Sequence, residues 1–271
     1  MRETQDAGDL HGRIAIVTGG SGGIGRGVAV RLAARGATVV VNGRSEERAA
    51  ATIEQVTAAR GTAVFIPGDV ASLEDMRRVA AETVDRFGRI DIVVPSAGGN
   101  DDEARDPRVR GPFADIDLAR ATAFVGDALA AKLYIVQAAL PHLRTAAGSV
   151  VFVTSEGGRI PTPGQTAIAS FSAGLIQASK LLSKELAQDR VRVNCVCVTV
   201  VSGTPSWNAA FESEDAVSAA HRRQYEKIIE RAPLGVANAE AIGDVIAFLA
   251  SDDAAYLTGA VLSPTGGLTL L

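Results

Sequence analysis

Short runs of consecutive apolar residues alternate with longer stretches of helical periodicity along almost the whole chain, and this alternation most narrows its fold. The runs are "GRIAIVTGG", "TVVVNGRS", "TAVFIPGDV", "RIDIVVPSAGG", "GSVVFVTSEGG", "VRVNCVCVTVV" and "GAVLSPTGG". Strands built from such runs are apolar on both faces, as in a parallel sheet covered on each side. Between them lie "GIGRGVAVRLAARGA", "EERAAATIEQVTAARG" and "SLEDMRRVAAETVDRFG", which read as helices closed by Gly36, Gly61 and Gly88, the last one opened by Ser72 as N-cap. A mostly helical segment runs from about residue 113 to 144, another from Gly164 to about Asp189, and a last one covers "AEAIGDVIAFLASDDA". Repeated strand–helix units with right-handed crossovers predict an α/β chain, a doubly wound parallel sheet of about seven strands flanked by helices.

No linker, repeat or low-complexity block divides the 271 residues, a length that suits one domain. The boundaries read as a loose tail over 1–12 and a single domain over 13–271, with a long excursion at about 202–238. The excursion contains Trp207 and a helical patch around "VSAAHRRQYEKIIERA", and a charged loop, "GNDDEARDPRVRGP", precedes the 113–144 segment. The net charge is −4 and no Lys/Arg cluster falls on a periodic face, so neither nucleic acid nor an anionic membrane is an expected partner. No apolar run looks long enough to span a bilayer, and the polar start "MRETQDAGDLHG" lacks a secretory signal's apolar stretch, so a cytoplasmic protein is expected. Cys195 and Cys197 lie two apart on a strand, pointing the same way in poor geometry for a disulfide. With no further ligands at useful spacing they read as buried apolar side chains, and no metal site is expected.

The segment "TGGSGGIG", Thr18 to Gly25, sits where the first strand meets the first helix. Glycines there let the backbone turn sharply and approach a pyrophosphate, which the free N–H groups and dipole of the helix start then hold. Thr18, Gly19, Ser21, Gly23, Ile24 and Gly25 are therefore candidate cofactor-binding residues. After the second strand an NAD site wants a carboxylate for the ribose, but this chain has Asn42, Gly43, Arg44 and Ser45. A guanidinium and a hydroxyl suit a 2′-phosphate, which favours NADPH/NADP+; the plainer alternative makes Arg44 a solvated loop arginine. Asp69, with Val70 beside it, is placed to accept from an adenine amino group, or else it is a charge near the helix that starts at Ser72.

Thr18–Gly19, Gly23, Gly25, Asp69–Val70, "SAG" at Ser96 to Gly98, Ser155, "VRVN" at Val191 to Asn194, "FLASDDAAYLTG" and Gly266–Gly267 together resemble the short-chain dehydrogenase/reductase family, over roughly Gly12 to Leu271. The resemblance implies a Rossmann fold, a homo-oligomer (tetramer or dimer) and hydride transfer between NADPH/NADP+ and a carbonyl or alcohol. It adds Ala97, Gly98 and Val201 to the cofactor residues. The family's catalytic set is Asn, Ser, Tyr and Lys. Ser155 matches the serine, but the tyrosine position holds Ile168, the lysine position Ser172 and the asparagine position Ala128.

Hydride transfer is the cofactor's own chemistry, and a general acid contributes on the order of 10²–10⁴-fold, so loss of the tyrosine need not abolish turnover. A ketone flanked by an internal hydroxyl would hold its own alkoxide, with water delivering the proton. The pattern is similar to atypical reductases of aromatic polyketide pathways, and that resemblance implies a polycyclic, angucyclinone-like ketone as substrate, with Trp207, Phe113 and Phe171 as conceivable walls. The principal alternative is a catalytically inactive scaffold or regulatory subunit that binds NADP(H). A third is lyase chemistry using Glu156 and His221, although Glu156 reads first as a solvated loop carboxylate. Of the remaining tyrosines, Tyr134 and Tyr256 read as packing residues; Tyr225, one turn after His221 in the excursion, could reach the site but reads first as part of a surface helix face.

Overall fold

Valine and isoleucine dominate the strands, and each strand divides its side chains between two cores. The computed structural model describes residues 9–98, 104–212 and 216–269. Strands β1 (Ile14–Thr18), β2 (Thr38–Gly43), β3 (Thr62–Pro67), β4 (Ile92–Pro95), β5 (Ser149–Ser155), β6 (Arg192–Val198) and β7 (Val261–Leu262) form one sheet in the order β3-β2-β1-β4-β5-β6-β7. Every pairing is parallel. Ile16, Val40, Val93 and Phe152 point to one face; Val17, Val41, Val94 and Val153 point to the other. Cys195 and Cys197 share the first face, both free and fully buried, as their spacing implied.

Helices α1 (Gly23–Ala34), α2 (Glu46–Ala58) and α8 (Ala239–Ala250) cover the second face; α3 (Leu73–Phe87), α4 (Leu118–Ala146) and α5 (Thr166–Leu186) cover the first. The 202–238 excursion forms α6 (Pro205–Glu212) and α7 (Ala216–Arg231). Helix starts are marked by short polar side chains. Ser45, Ser72, Asp117 and Asn238 each accept a backbone N–H from the third residue on. Helix α1 differs: its N-cap is Gly22, which offers no side-chain cap and leaves the first-turn N–H groups open.

Four expectations need correcting. Residues 9–12 are not part of a loose tail: Leu10 is buried, its N–H donates to the Arg35 carbonyl at 2.9 Å, and Asp9 pairs with Arg35. Gly61 does not supply the left-handed turn after α2; Arg60 does, at φ 60°, and Gly61 is small because a Cβ there would lie 2.7 Å from that of Ala33. The helix expected from about residue 113 starts at Leu118, capped by Asp117, with residues 106–117 forming turns and bends before it. That helix is also long and apolar enough to match a membrane span, contrary to the linear reading, but Phe124, Ile135 and Leu143 turn its apolar stripe into the core.

Candidate active site

Sheet growth reverses between β1 and β4, and the crevice of a doubly wound sheet opens beyond the carboxyl ends of the strands at such a switch point. A cleft of about 600 Å³ occupies this place. Gly19, Ser21, Gly23, Ile24 and Gly25 line it from the β1–α1 turn, Arg44 and Ser45 from the end of β2, and Asp69 and Val70 from the end of β3. Ala97 and Gly98 after β4, Val201 after β6 and Ala128 on α4 complete the sequence-derived set. Thr18 is the exception. Its side chain is fully buried off the cleft wall, and its carbonyl takes the Ala97 N–H at 3.0 Å, so it braces the cleft from behind.

The β1–α1 turn is shaped to hold a pyrophosphate. Gly19 has φ 68°, and a Cβ on it would fall 2.9 Å from the Ala97 backbone, so only glycine fits. A Cβ on Gly25 would fall 2.2 Å from the Gly19 carbonyl oxygen. The bare helix start thus faces an open, backbone-lined cradle, and a nicotinamide dinucleotide fits the residues present. Two contributors escaped the linear reading. The Arg48 guanidinium lies over Gly22, 2.9 Å from where its Cβ would be, because a side chain in the first turn of α2 leans back toward the phosphate loop. Lys132, one turn beyond Ala128 and buried, donates to the carbonyls of Pro95 and Ser96 at 2.9 and 3.0 Å, fixing the segment that carries Ala97 and Gly98.

Several side chains on the wall also have structural work. Ser45 Oγ caps α2 by accepting the Arg48 N–H at 3.2 Å. Asp69 Oδ1 accepts the Ala71 N–H at 3.0 Å, while the Asp69 N–H donates to Asp75 at 2.8 Å. That backbone donor, together with Arg78, holds the Asp75 carboxyl below its usual range.

A second cleft, about 830 Å³, adjoins the first; Thr199, Val200, Ser206 and Tyr225 line both. Ser155 and Ile168 both line this second cleft. The Ser155 hydroxyl accepts the Gly157 N–H at 3.1 Å, capping the tight turn Glu156–Gly158. Ser172 lines neither cleft; it is fully buried, and its hydroxyl has no partner among the described residues. Glu156 is not a solvated loop carboxylate: it is 3% exposed, accepts from the Ser263 hydroxyl at 2.6 Å and pairs with Arg159. His221 is absent from both walls.

The aromatic expectations also shift. Phe113 is exposed, Phe171 packs edge-on against Phe124 in the core, and Tyr256 is fully exposed rather than packed. Tyr225 is not a surface residue. It stacks on Trp207 with ring centroids 6.3 Å apart, lies where the clefts meet, and accepts a hydrogen bond from Arg110. Burial pushes its phenol above the usual value against the pull of Arg110 and Arg105. The i, i+3 and i+4 pattern of α7 is polar, so the sequence left the inward turn of Tyr225 as the lesser alternative, and the docking of this helix on α6 decides it.

Comparison with known proteins agrees with this architecture. A family model described as "Enoyl-(Acyl carrier protein) reductase" matches residues 19–269. An uncharacterized oxidoreductase of Thermotoga maritima is 31% identical over 266 residues, covering 96% of this chain and 99% of that protein. The 3-oxoacyl-[acyl-carrier-protein] reductase FabG of the same organism is 30% identical over 263 residues, covering 96% and 99%. The crystal structure of a short-chain dehydrogenase/reductase from Burkholderia xenovorans superposes with a TM-score of 0.84 at 28% identity, covering 97% of this chain and 98% of that one.

Proposed function

Because the chain belongs to the short-chain dehydrogenase/reductase family, a family of oxidoreductases, we propose that it reduces a ketone on a polycyclic aromatic, angucyclinone-like polyketide using NADPH. Such a step belongs to antibiotic-type biosynthesis. The observation that carries the reading is Ile168, an apolar side chain that lines, with Ser155, the cleft adjoining the nucleotide cleft. The family's proton donor would stand there. Ile160, Pro161, Ile168, Val198 and Ile228 give the cleft the apolar walls that suit a flat ring system.

Bound NADPH supplies the hydride. In this reading the β1–α1 turn holds the pyrophosphate, and Arg44, with Arg48 nearby, holds the 2′-phosphate. Ser155 offers one donor toward the developing alkoxide. The substrate's neighbouring hydroxyl supplies the principal hydrogen bond, and water delivers the proton. The same reading implies a cytoplasmic enzyme, where NADPH is regenerated, and a homo-oligomer, dimer or tetramer, paired over α4 and α5.

A second reading has one observation behind it: Tyr225 lies where the clefts meet, with burial raising its phenol's pKa against the pull of Arg110. The test uses NADPH deuterated at the transferable nicotinamide position with a panel of hydroxylated polycyclic ketones, and weighs the products. Deuterium on a carbinol carbon supports reduction; cofactor binding without transfer to any ketone favours the scaffold alternative. With an accepted ketone in hand, Tyr225→Phe should leave kcat within about threefold if the substrate holds its own alkoxide. A fall on the order of 10²-fold or more would assign the proton to Tyr225.

A further inference from the structure

We infer that the substrate carries a carboxylate remote from the reacting ketone, and that Arg110 is its anchor. The inference rests on the second cleft being the ketone site. That cleft is lined by Arg105, Arg110, Arg223, Lys227 and Arg231, in a chain whose net charge is −4. The acid on its wall, Glu156, is already held by Arg159 and Ser263. Arg223, Lys227 and Arg231 stand four residues apart on α7, which puts them on one stripe of the helix. Glu226 and Glu230, on the same helix, stay off the cleft. The helix thus turns these three cations toward the cleft and those two acids away, while Arg222 donates instead to the Ala210 and Phe211 carbonyls.

Arg110 is the deepest of the set. Its guanidinium donates to Gln224 Oε1 at 2.7 Å and to the Tyr225 hydroxyl, both neutral, and burial pulls it below its usual value. Among the described residues it has no carboxylate partner, and Arg223, Lys227 and Arg231 make no ion pair. A guanidinium withdrawn from water without an anion is costly, and a neutral amide would tie the 104–117 loop to α7 without that cost. A planar fork of donors with spare N–H groups matches a carboxylate in two-point contact, which an ammonium would not. The arginine and lysine stems meanwhile give a ring system apolar cover. The depth of Arg110 favours a small ligand's carboxylate over an acidic protein docked on the rim.

The experiment reads binding to the NADP+-saturated protein through Trp207, the chain's one tryptophan, which stacks on the cleft residue Tyr225 and packs tilted against Phe211. Two matched pairs serve as probes: anthraquinone-2-carboxylate with 2-(hydroxymethyl)anthraquinone, and octanoate with octan-1-ol, with absorbance corrected. The acid of each pair should bind at least about tenfold more tightly than its alcohol. Arg110→Gln should remove most of that preference and Arg110→Lys should keep part of it, both with NADP+ affinity unchanged as the check on folding. Equal affinity for acid and alcohol in both pairs overturns the proposal, as does a preference that survives Arg110→Gln and so belongs to the rim. A preference shown for octanoate while neither anthraquinone binds supports the anion site and overturns the polycyclic reading instead. Both anthraquinones binding equally, with octanoate no tighter than octan-1-ol, does the reverse.

Discussion

Arg44 and Ile168 are the two residues on which the functional reading turns, and each makes a separate prediction. Arg44 lines the nucleotide cleft beyond β2 with no carboxylate at the strand end to oppose a phosphate. Arg44→Ala should weaken NADPH by about tenfold or more and NADH much less, measured as Kd for each cofactor. Equal weakening would remove the 2′-phosphate contact. Ile168 lines the second cleft, while Ser172, one helical turn on, is fully buried away from both clefts. Ile168→Tyr alone should therefore leave kcat unchanged within about twofold, because a lone phenol at its ordinary pKa is a poor acid without a neighbouring cation. A large gain would sink the substrate-assisted mechanism. Ile168 and Ser155 were legible through the family resemblance, which matches the end of the "FVTS" strand and aligns the following helix without a gap. Arg48 and Lys132 were not, because their roles depend on backbone groups far away in the chain.

At the scale of elements, the 104–117 segment and α7 form one unit around the second cleft, and Asp106 shapes the first of them. Its carboxylate takes the Arg108 N–H at 2.9 Å and pairs with the Arg108 and Arg120 guanidinium groups. Those bonds, Arg108 first, hold its carboxyl down at about 2. A carboxyl depressed in the fold stabilises above its unfolded value, about 3.9, and that contribution is lost as pH falls toward the folded value. Asp106→Asn should therefore lower the denaturation midpoint at neutral pH, and the gap to the parent should close between about pH 4 and about pH 2. A gap independent of pH would show that shape alone matters there. The glycines gave another lesson at this scale. Two of the close approaches join helices α1 and α8 directly. A Cβ on Gly27 of α1 would fall 2.3 Å from the Ala239 backbone, and one on Gly243 of α8 would fall 2.6 Å from the Gly27 carbonyl oxygen.

Across the whole molecule, stability and chemistry occupy opposite edges of the sheet. Both clefts lie beyond the carboxyl ends of the strands, whereas Asp91 lies just before β4 at the other edge. It is 1% exposed and accepts the Ile14 N–H at 2.9 Å, Arg89 Nε at 2.8 Å and Arg13 at 3.3 Å. Asp91→Ala removes the common partner of two arginines and a backbone donor, and should cost about 2–3 kcal/mol in denaturant unfolding. NADPH affinity should stay within about twofold, since nothing at that edge touches the cleft. A matching loss of cofactor affinity would mean that the two edges are coupled.

Strand and helix identity, the parallel sheet and the glycine turn between β1 and α1 were all readable along the chain. Each depends on residues within one or two elements: two-sided apolar runs, glycine spacing, a short polar cap before a helix. Assembly through space settled the rest. Tyr225 turned inward because α7 packs on α6, Glu156 was buried because β7 leads Ser263 back to it, and Thr18 braces the cleft because β1 and β4 are neighbours. The cations of the second cleft come from segments more than a hundred residues apart, and no local periodicity carries that information. A side chain's environment is set by the elements that meet around it, and the sequence names those elements without stating which faces will meet.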